Sequence, residues 1–371
     1  MLQKVGKMFK VFISILLISI SLFASKPLSL DKSLGSMLMV GFYGTTLSSN
    51  SQICKDIKNY NLAGVILFDY NPIDRRKAKN ISSKEQLKKL TSQLQNCSHN
   101  KKLLIAIDQE GGLVQRLKAK YGFRGNFPKA CNISKISDKD VEHIYNGMAK
   151  ELKSVGINYN LAPVVDLSIN KKNRVICKLG RSFGENPRKV AHYSSIFINS
   201  MNRQNILTSL KHFPGHGSST KDTHKGFVDV TKEWKDVELK PYKLLIDSGN
   251  VDSVMVAHII NKRLDRLYPA TLSHNIVTKK LRGELGFNGV VITDDLQMGA
   301  ISSRYKLKDT IKLAINAGDD ILLFGNQLNP KQILTTKKII GIMKNLLKSK
   351  QITSDRIRES NLRVENLKRR L

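Results

Sequence analysis

The sequence predicts an α/β fold, a (β/α)8 barrel of the TIM type, built as a single domain with a C-terminal helix. Short apolar runs alternate with amphipathic stretches through residues 37–370. The runs are continuous rather than alternating in polarity, as parallel strands buried on both faces require. Eight such strand–helix units with some long loops fit a barrel. The alternative is an open doubly wound sheet, for which GFYGTT at Gly41 is only a weak match to the expected phosphate loop.

Each predicted strand is followed by a predicted helix. The strands are residues 37–42, 63–68, 103–108, 158–166, 206–210, 253–258, 289–294 and 321–325. The helices are residues 52–60, 84–97, 138–155, 187–203, 238–248, 273–285, 305–317, 331–347 and, closing the chain, 355–370. Asp138 is a suitable N-cap, and Pro187 suits a first helical turn.

Residues 1–25 predict a signal peptide or an N-terminal anchor. Lys4, Lys7 and Lys10 precede an apolar run from Val11 to Ala24. That run has the length of a signal-peptide core and is short for a membrane span. We therefore expect export, to the periplasm or beyond, with residues 8–24 as a membrane anchor in the alternative. The barrel domain then occupies residues 30–371.

The charge balance is strongly basic, with 62 Lys and Arg against 30 Asp and Glu and a net charge of +32. The lysines are spread along the chain and no nucleic-acid-binding motif accompanies them, so we expect no nucleic-acid partner. The charge could attract an anionic wall or membrane surface. A general bias towards lysine explains it equally well. We expect a monomer.

Four cysteines are present, Cys54, Cys97, Cys131 and Cys177. Without a C-x-x-C pair they do not indicate a zinc knuckle or a redox motif. In an exported protein they allow one or two disulfides. The sequence does not assign the pairing, and buried thiols are the alternative.

The most informative stretch is KHFPGHGSSTKDTH, residues 211–224. It follows an apolar strand, and Pro214 with its neighbouring glycines forces a turn. Lys211 and His212 are therefore expected at a strand end. Asp222 can accept a hydrogen bond from one imidazole nitrogen of His224, leaving the other nitrogen to transfer protons. In the alternative, these two side chains belong to a solvated loop and never meet.

Polar residues also follow the other predicted strands. Since the carboxyl ends of barrel strands share one face, we expect a polar substrate pocket there. The candidates are Asp108, Asp166, Lys211, His212, His258, Asp294 and Asn326. Asp294 and Asp295 are adjacent, so strand alternation should send only one of them into the pocket, and Asp294 lies nearer the strand.

Four motifs, DQEGGLVQR, GRSFGENP, KHFPGHGSSTKDTH and ITDDLQMGAI, occur in this order within residues 108–301. In these motifs the chain resembles the β-N-acetylhexosaminidases of glycoside hydrolase family 3. The overall similarity extends beyond the motifs and covers about residues 35–350. The resemblance implies a retaining exo-β-N-acetylglucosaminidase. Such an enzyme removes terminal N-acetylglucosamine from peptidoglycan fragments or chitooligosaccharides through a covalent glycosyl-aspartate intermediate. It implies no metal and no cofactor.

By position in these motifs, the resemblance implies that Asp294 is the nucleophile, His224 the general acid/base and Asp222 the residue that orients His224. It implies that sugar is bound by Asp108, Arg116, Arg181, Lys211 and His212. Read without the resemblance, Asp108 and Arg116 could instead form a salt bridge across a loop, and Arg181 could be a surface cation. Leu113 departs from the family pattern, which often has Arg there.

Three other functions remain open. A β-glucosidase of the same family commonly takes its acid from a second domain, for which this chain leaves no room. A metal-dependent hydrolase could use His212, His216 and His224, although the Pro-Gly turn separates the first two. The third possibility is a non-catalytic barrel that binds the cell wall. Such a protein would usually have lost Asp294 or His224, and both residues are present.

Overall fold

The computed structural model describes residues 28–371 except residues 75, 101, 221, 224–225 and 329–332. Within these residues, eight parallel strands form one sheet in the order β8-β1-β2-β3-β4-β5-β6-β7. They are β1 (Leu38–Gly41), β2 (Gly64–Ile66), β3 (Leu104–Ile107), β4 (Tyr159–Asn160), β5 (Leu207–Phe213), β6 (Ser253–Val256), β7 (Val290–Thr293) and β8 (Leu322–Phe324).

The two edges of this sheet meet. Ile292 and Ile321 form a parallel bridge, and the amide of Thr293 donates to the carbonyl of Ile321 at 3.0 Å. The sheet therefore closes into a barrel, which confirms the predicted fold. The open doubly wound alternative is wrong.

Helices surround the barrel and bury one apolar face each. The principal ones are Gln52–Tyr60, Lys84–Cys97, Asp138–Ser154, Pro187–Asn202, Lys240–Asp247, Asn275–Glu284, Leu307–Ala317, Thr336–Lys348 and Ser354–Arg369. Shorter turns of helix are Leu30–Gly35, Ala119–Tyr121, Ala130–Ile133, Asp236–Leu239, Ala270–Leu272 and Gly299–Ser302. Two short strands, Val228–Asp229 and Ile259–Ile260, form a separate parallel pair.

Several predicted boundaries are corrected. The fourth strand was predicted over residues 158–166, but the regular strand β4 ends at Asn160, and beyond it Val164 forms only an isolated parallel bridge with Lys211. The fifth strand runs on through Lys211 and His212 to Phe213, which pairs with Val256.

One helix cap and several helix starts also differ from the prediction, since the helices predicted from residues 238, 305, 331 and 355 begin at Lys240, Leu307, Thr336 and Ser354. Ser137, not Asp138, caps its helix, since the Ser137 hydroxyl accepts from the amide of Asp140 at 3.2 Å. The helix predicted from residue 273 begins at Asn275 and has π-type hydrogen bonding.

The C-terminal helix Ser354–Arg369 closes the N-terminal end of the barrel. Val364 and Leu367 belong to the same apolar cluster as the residues that begin the strands. Next to them, the buried Asp320 pairs with three arginines, Arg282 at 2.6 Å, Arg356 at 2.7 Å and Arg363 at 3.3 Å. This end is therefore sealed, and the C-terminal ends of the strands are left to form a site.

Cys54 and Cys97 form a disulfide that joins the helices Gln52–Tyr60 and Lys84–Cys97, while Cys131 and Cys177 are free thiols. Among the helices that the structure describes, none has both the length and the apolarity to cross a bilayer. Residues 1–25, predicted as a signal peptide or anchor, lie outside the described residues.

Candidate active site

A cleft of about 380 Å³ opens at the C-terminal ends of the barrel strands. Its volume is typical of pockets for small ligands. The cleft is lined by every described residue for which the family resemblance implied a catalytic or sugar-binding role, namely Asp108, Arg116, Arg181, Lys211, His212, Asp222 and Asp294. His224, the predicted acid/base, lies outside the described residues.

Two carboxylates organise the charged wall of the cleft. Asp108, directly after β3, accepts from Lys211 Nζ at 2.9 Å and from Arg116 Nη2 at 3.2 Å. Glu110 accepts from Lys211 Nζ at 2.7 Å and receives both Nε and Nη2 of Arg181, at 2.8 and 2.7 Å. Since each carboxylate bridges two cations, the positions of all three cations are fixed relative to one another.

These groups stay ionised. Burial alone would raise the pKa of Asp108, but Lys211 and Arg116 outweigh it and hold that pKa well below its usual range. Burial also opposes ionisation of Glu110, yet Arg181 and Lys211 lower its pKa to about 2. Burial likewise disfavours charge on Lys211, but the two carboxylates keep its pKa above the usual value. The wall therefore offers fixed charges that can bind sugar hydroxyl and carbonyl groups.

The salt bridge proposed as the alternative for Asp108 and Arg116 does form, but it lies in the cleft. The reading of Arg181 as a surface cation is wrong, because its side chain is only 13% exposed.

A tight turn brings Glu110 and Arg116 onto one wall. Gly111 has φ +98°, and a Cβ there would lie 2.5 Å from the carbonyl oxygen of Pro128. Only glycine fits this backbone without displacing its neighbour. The side chain of Gln109 then accepts from the amide of Arg116 at 2.9 Å and fixes the return of the loop.

His212 is oriented from behind by Asp166. Its Nδ1 lies 2.7 Å from Asp166 Oδ2, and its Nε2 lies 3.3 Å from Arg181 Nη2. Burial tends to raise the pKa of Asp166, but His212 and His216 hold it below the usual value. An ionised Asp166 accepts a hydrogen bond from Nδ1 of His212 and leaves Nε2 towards the cleft.

The loop after β5 is pinned along its first half. Asn173 Nδ2 donates to the carbonyl of His216 at 2.8 Å, and Glu238 Oε2 accepts from the amide of Gly217 at 2.9 Å. Further on, the carbonyl of Thr223 accepts from the amide of Ala300 at 3.2 Å. This last bond joins the loop that carries Asp222 to the segment that follows Asp294.

Asp294 and Asp295 lie at the end of β7. The amide of Asp294 donates to the carbonyl of Val256 at 3.0 Å, and Asp294 Oδ1 accepts from the amide of Asp295 at 2.8 Å. Asp295 Oδ1 accepts from the amides of Gln297 and Gly325, at 3.0 and 3.2 Å, and burial raises the pKa of Asp295 to about 6.

The prediction that only one of these two carboxylates reaches the cleft is wrong, because both line it. Asp295, however, is bound to the loop after β8. Asp294 is the more accessible of the two.

Other strand-end residues support the loops and lie behind the lining. His258 contacts the hydroxyl of Thr271 at 2.7 Å and the carbonyl of Asp295 at 2.9 Å. Asn326 Nδ2 donates to the carbonyl of Gly41 at 3.1 Å. The prediction that all polar strand-end residues converge on the pocket therefore fails for His258 and Asn326, and also for Asp166.

Sequence reasoning missed Glu110 and Lys79. Glu110 stands two residues after Asp108 in the DQEGG motif. Because residues two apart in an extended chain point to the same side, this spacing could have identified Glu110 as a second residue of the site. Lys79 is fully buried and donates to the carbonyls of Gly325 and Asn326, at 2.9 and 2.8 Å. Nothing in the stretch RRKAKN distinguishes it from a solvated lysine.

Two of the three histidines considered as metal ligands have other partners in the fold. His216 Nδ1 contacts the hydroxyl of Ser219 at 2.8 Å, and His212 is held by Asp166. Across the described part of the chain, no group of three or more His, Cys, Asp or Glu side chains is placed to hold a metal ion.

Comparisons with known proteins give one family. The family model "Glycosyl hydrolase family 3 N terminal domain" matches residues 29–367. A beta-hexosaminidase from Tolumonas auensis is 35% identical over 78% of this chain and 82% of its own length. Beta-hexosaminidase A from Pseudoalteromonas piscicida is 31% identical over 94% of this chain, which spans only 62% of that protein.

Solved structures agree with this grouping. A glycoside hydrolase family 3 β-N-acetylglucosaminidase from Paenibacillus sp. str. FPU-7 superposes with a TM-score of 0.80 at 31% identity, covering 93% of this chain and 63% of that one. A β-N-acetylhexosaminidase from Beutenbergia cavernae superposes with a TM-score of 0.79 at 26% identity, covering 92% of this chain and 99% of that one.

Glu238, whose carboxyl holds the loop after β5, has a raised pKa, and we therefore expect the stability of the protein to depend on pH. Burial raises the pKa of Glu238 from 4.5 to about 7. When the pKa of a carboxyl is higher in the folded than in the unfolded protein, the group contributes to stability at pH values below its unfolded pKa. This contribution is lost as the pH rises through the pKa of the folded protein. Between pH 5 and pH 8, we expect wild type to lose about 2–3 kcal/mol of unfolding free energy relative to Glu238→Gln.

Chemical denaturation of both proteins at the two pH values measures this difference. Glu359→Gln, at a side chain that is 58% exposed, is the matched control and should show no such change. A difference between wild type and Glu238→Gln that stays constant with pH would contradict the assignment.

Proposed function

This chain belongs to glycosyl hydrolase family 3, and we propose that it is a retaining β-N-acetylhexosaminidase. Its proposed substrates carry terminal β-linked N-acetylglucosamine, as peptidoglycan fragments and chitooligosaccharides do. One observation carries the proposal. The same cleft is lined by Asp294 at the end of β7, by Asp222 in the loop after β5, and by the five proposed sugar-binding residues. The names of the relatives, beta-hexosaminidase and β-N-acetylglucosaminidase, support the hexosaminidase activity.

The proposed sugar-binding residues act as a pre-formed set. Asp108 and Glu110 already hold Lys211, Arg116 and Arg181 in place, so these cations need no rearrangement when a sugar binds. Hydrogen bonds between charged groups and hydroxyls are stronger than those between neutral groups. A terminal sugar is thereby held in one orientation over Asp294, which raises the effective concentration of the nucleophile.

In the first half-reaction, we propose that an Asp294 carboxylate oxygen bonds to the anomeric carbon as the glycosidic C–O bond breaks. The protonated imidazole of His224 gives its proton to the leaving oxygen. In the second half-reaction, His224 accepts a proton from a water molecule as the water oxygen bonds to the anomeric carbon, and the bond between that carbon and Asp294 breaks to release the Asp294 carboxylate. Asp222 favours the imidazolium. Thr223, which precedes His224 in the sequence, lines the cleft with Asp294.

Asp294→Ala tests the nucleophile. We expect hydrolysis of an aryl β-N-acetylglucosaminide to fall by about 10³-fold or more while the fold persists. Added azide should restore turnover and give the α-glycosyl azide, because the anion enters from the face that the carboxylate occupied. Asp355→Ala, at a side chain that is 74% exposed on the C-terminal helix, is the control. Undiminished turnover in Asp294→Ala would refute the assignment.

His224→Ala tests the acid/base. Leaving groups of high pKa need protonation, so their hydrolysis should fall by about 10²–10⁴-fold, and activated aryl glycosides should lose less in the first half-reaction. Azide should give the β-glycosyl azide in this variant, the opposite anomer from Asp294→Ala. Equal losses for all leaving groups would argue against an acid role.

Parallel assays of the wild-type protein with aryl glycosides of N-acetylglucosamine, glucose and xylose decide the sugar preference.

We also propose that the protein is exported, with residues 1–25 removed as a signal peptide or residues 8–24 kept as an anchor. The Cys54–Cys97 disulfide supports export, because disulfides persist in oxidising compartments. N-terminal sequencing of protein from fractionated cells tests this. A start near Ala24 or Ser25 indicates cleavage, and an intact start in the membrane fraction indicates an anchor. An intact start in the cytoplasmic fraction would contradict export.

A further inference from the structure

One side of the barrel carries a surface of lysines with almost no acids. The short helix Leu30–Gly35 contacts the helices Gln52–Tyr60 and Thr336–Lys348. Apart from Asp31, which pairs with Lys344 at 2.9 Å, every exposed charged residue on these three helices is a lysine. We call this set of exposed side chains the lysine face, which consists of Lys55, Lys58, Lys337, Lys338, Lys344 and Lys348.

Three of these lysines form a row along one helix. Lys337, Lys344 and Lys348 are spaced so that they lie on the same face of the helix, and they span about 17 Å along its axis. The helix Thr336–Lys348 contains no acid. Because like charges four residues apart destabilise a helix slightly, this row does not serve the stability of the fold. An anionic surface that bound the row would relieve the repulsion between its charges.

On the far side of the barrel, basic and acidic residues are mixed. The helices Asp138–Ser154, Pro187–Asn202 and Lys240–Asp247 pack one against the next on that side. Together they carry seven Lys or Arg residues and five Asp or Glu residues, and Asp247 pairs with Lys243 on its own helix. A bias of the whole chain towards lysine would affect both sides alike, so it does not account for the lysine face.

The described chain begins beside the lysine face. Leu28 and Leu30 are apolar, yet they are 47% and 44% exposed. Ala24, the last residue of the apolar N-terminal run, precedes Leu30 by six residues, which span at most about 20 Å when extended. A run held in a bilayer would therefore keep the lysine face within reach of the lipid headgroups. Exposed leucines beside lysines suit the boundary between headgroups and acyl chains.

We propose that the lysine face docks this protein on an anionic phospholipid bilayer, with Leu28 and Leu30 at the level of the headgroups. Anionic lipids attract lysines that lie close to the membrane surface. A bilayer is favoured over a soluble anionic polymer, because only a bilayer also offers an apolar phase to the two leucines. The inference does not depend on the glycosidase activity, since none of the six lysines lines the cleft.

The experiment measures cosedimentation of the full-length protein with two kinds of vesicle, phosphatidylcholine alone and phosphatidylcholine mixed with phosphatidylglycerol. The apolar N-terminal run is the same in every variant, so the ratio of the two partition coefficients reports the effect of lipid charge. The combined variant Lys337→Gln, Lys344→Gln and Lys348→Gln should lower this ratio by about 20- to 100-fold, because each lysine near an anionic surface contributes about fivefold. Replacement of the same three lysines by arginine should preserve the ratio.

The matched control removes three exposed lysines from one helix on the far side, with Lys139→Gln, Lys150→Gln and Lys153→Gln. It should lower the ratio by less than about threefold, because salt screens charges that lie far from the bilayer. Unchanged thermal unfolding of all the variants excludes misfolding as the cause of a fall.

Two results would overturn the proposal. An equal fall of the ratio in the glutamine variants of both sides would mean that net charge alone attracts the protein to lipid. Equal binding of the wild-type protein to both kinds of vesicle would mean that the lysine face does not recognise an anionic bilayer. In that case, binding to soluble polyglutamate that is lost in the lysine-face variant would assign the surface to an anionic polymer.

Discussion

The arrangement of the site depends on two largely buried carboxylates that pair with three cations at the C-terminal end of the barrel. A buried charge without a partner costs several kcal/mol, so neither Asp108 nor Glu110 would be tolerated alone in this position. Paired, they hold Lys211, Arg116 and Arg181 in one arrangement. The charges proposed to bind the substrate are thus also charges that hold this end of the barrel in one arrangement.

The two ends of the barrel use buried charge for different purposes. At the N-terminal end, Asp320 and its three arginines attach the C-terminal helix, and an apolar cluster seals the interior. At the C-terminal end, the charged groups border a cleft open to solvent. Barrel enzymes commonly divide stability and function between the two ends in this way.

The loop after β5 has a fixed beginning and carries the proposed acid/base further on. Asn173 and Glu238 hold its first half, and the bond between Thr223 and Ala300 returns it to the segment after Asp294. The loop and the β7 carboxylate are far apart in sequence, so a tertiary bond is needed to bring them together. Lys79 and Gln327 hold the opposite wall in the same manner. The cleft is therefore bordered by loops tied to one another, which suits a site that must orient a sugar ring.

The barrel could be predicted from the amino-acid sequence, since apolar runs and helical periodicity are local properties that each segment carries. The motifs that hold the candidate residues could be predicted as well, because glycines, prolines and the D-x-H spacing are visible along the chain. The folded chain was needed to show that Arg181 is buried against Glu110, that Cys54 pairs with Cys97, and that Lys79 anchors a wall of the cleft. Each of these contacts joins residues that are distant in sequence, and the partner of a charged side chain or a thiol is set by closure of the barrel and not by its neighbours along the chain.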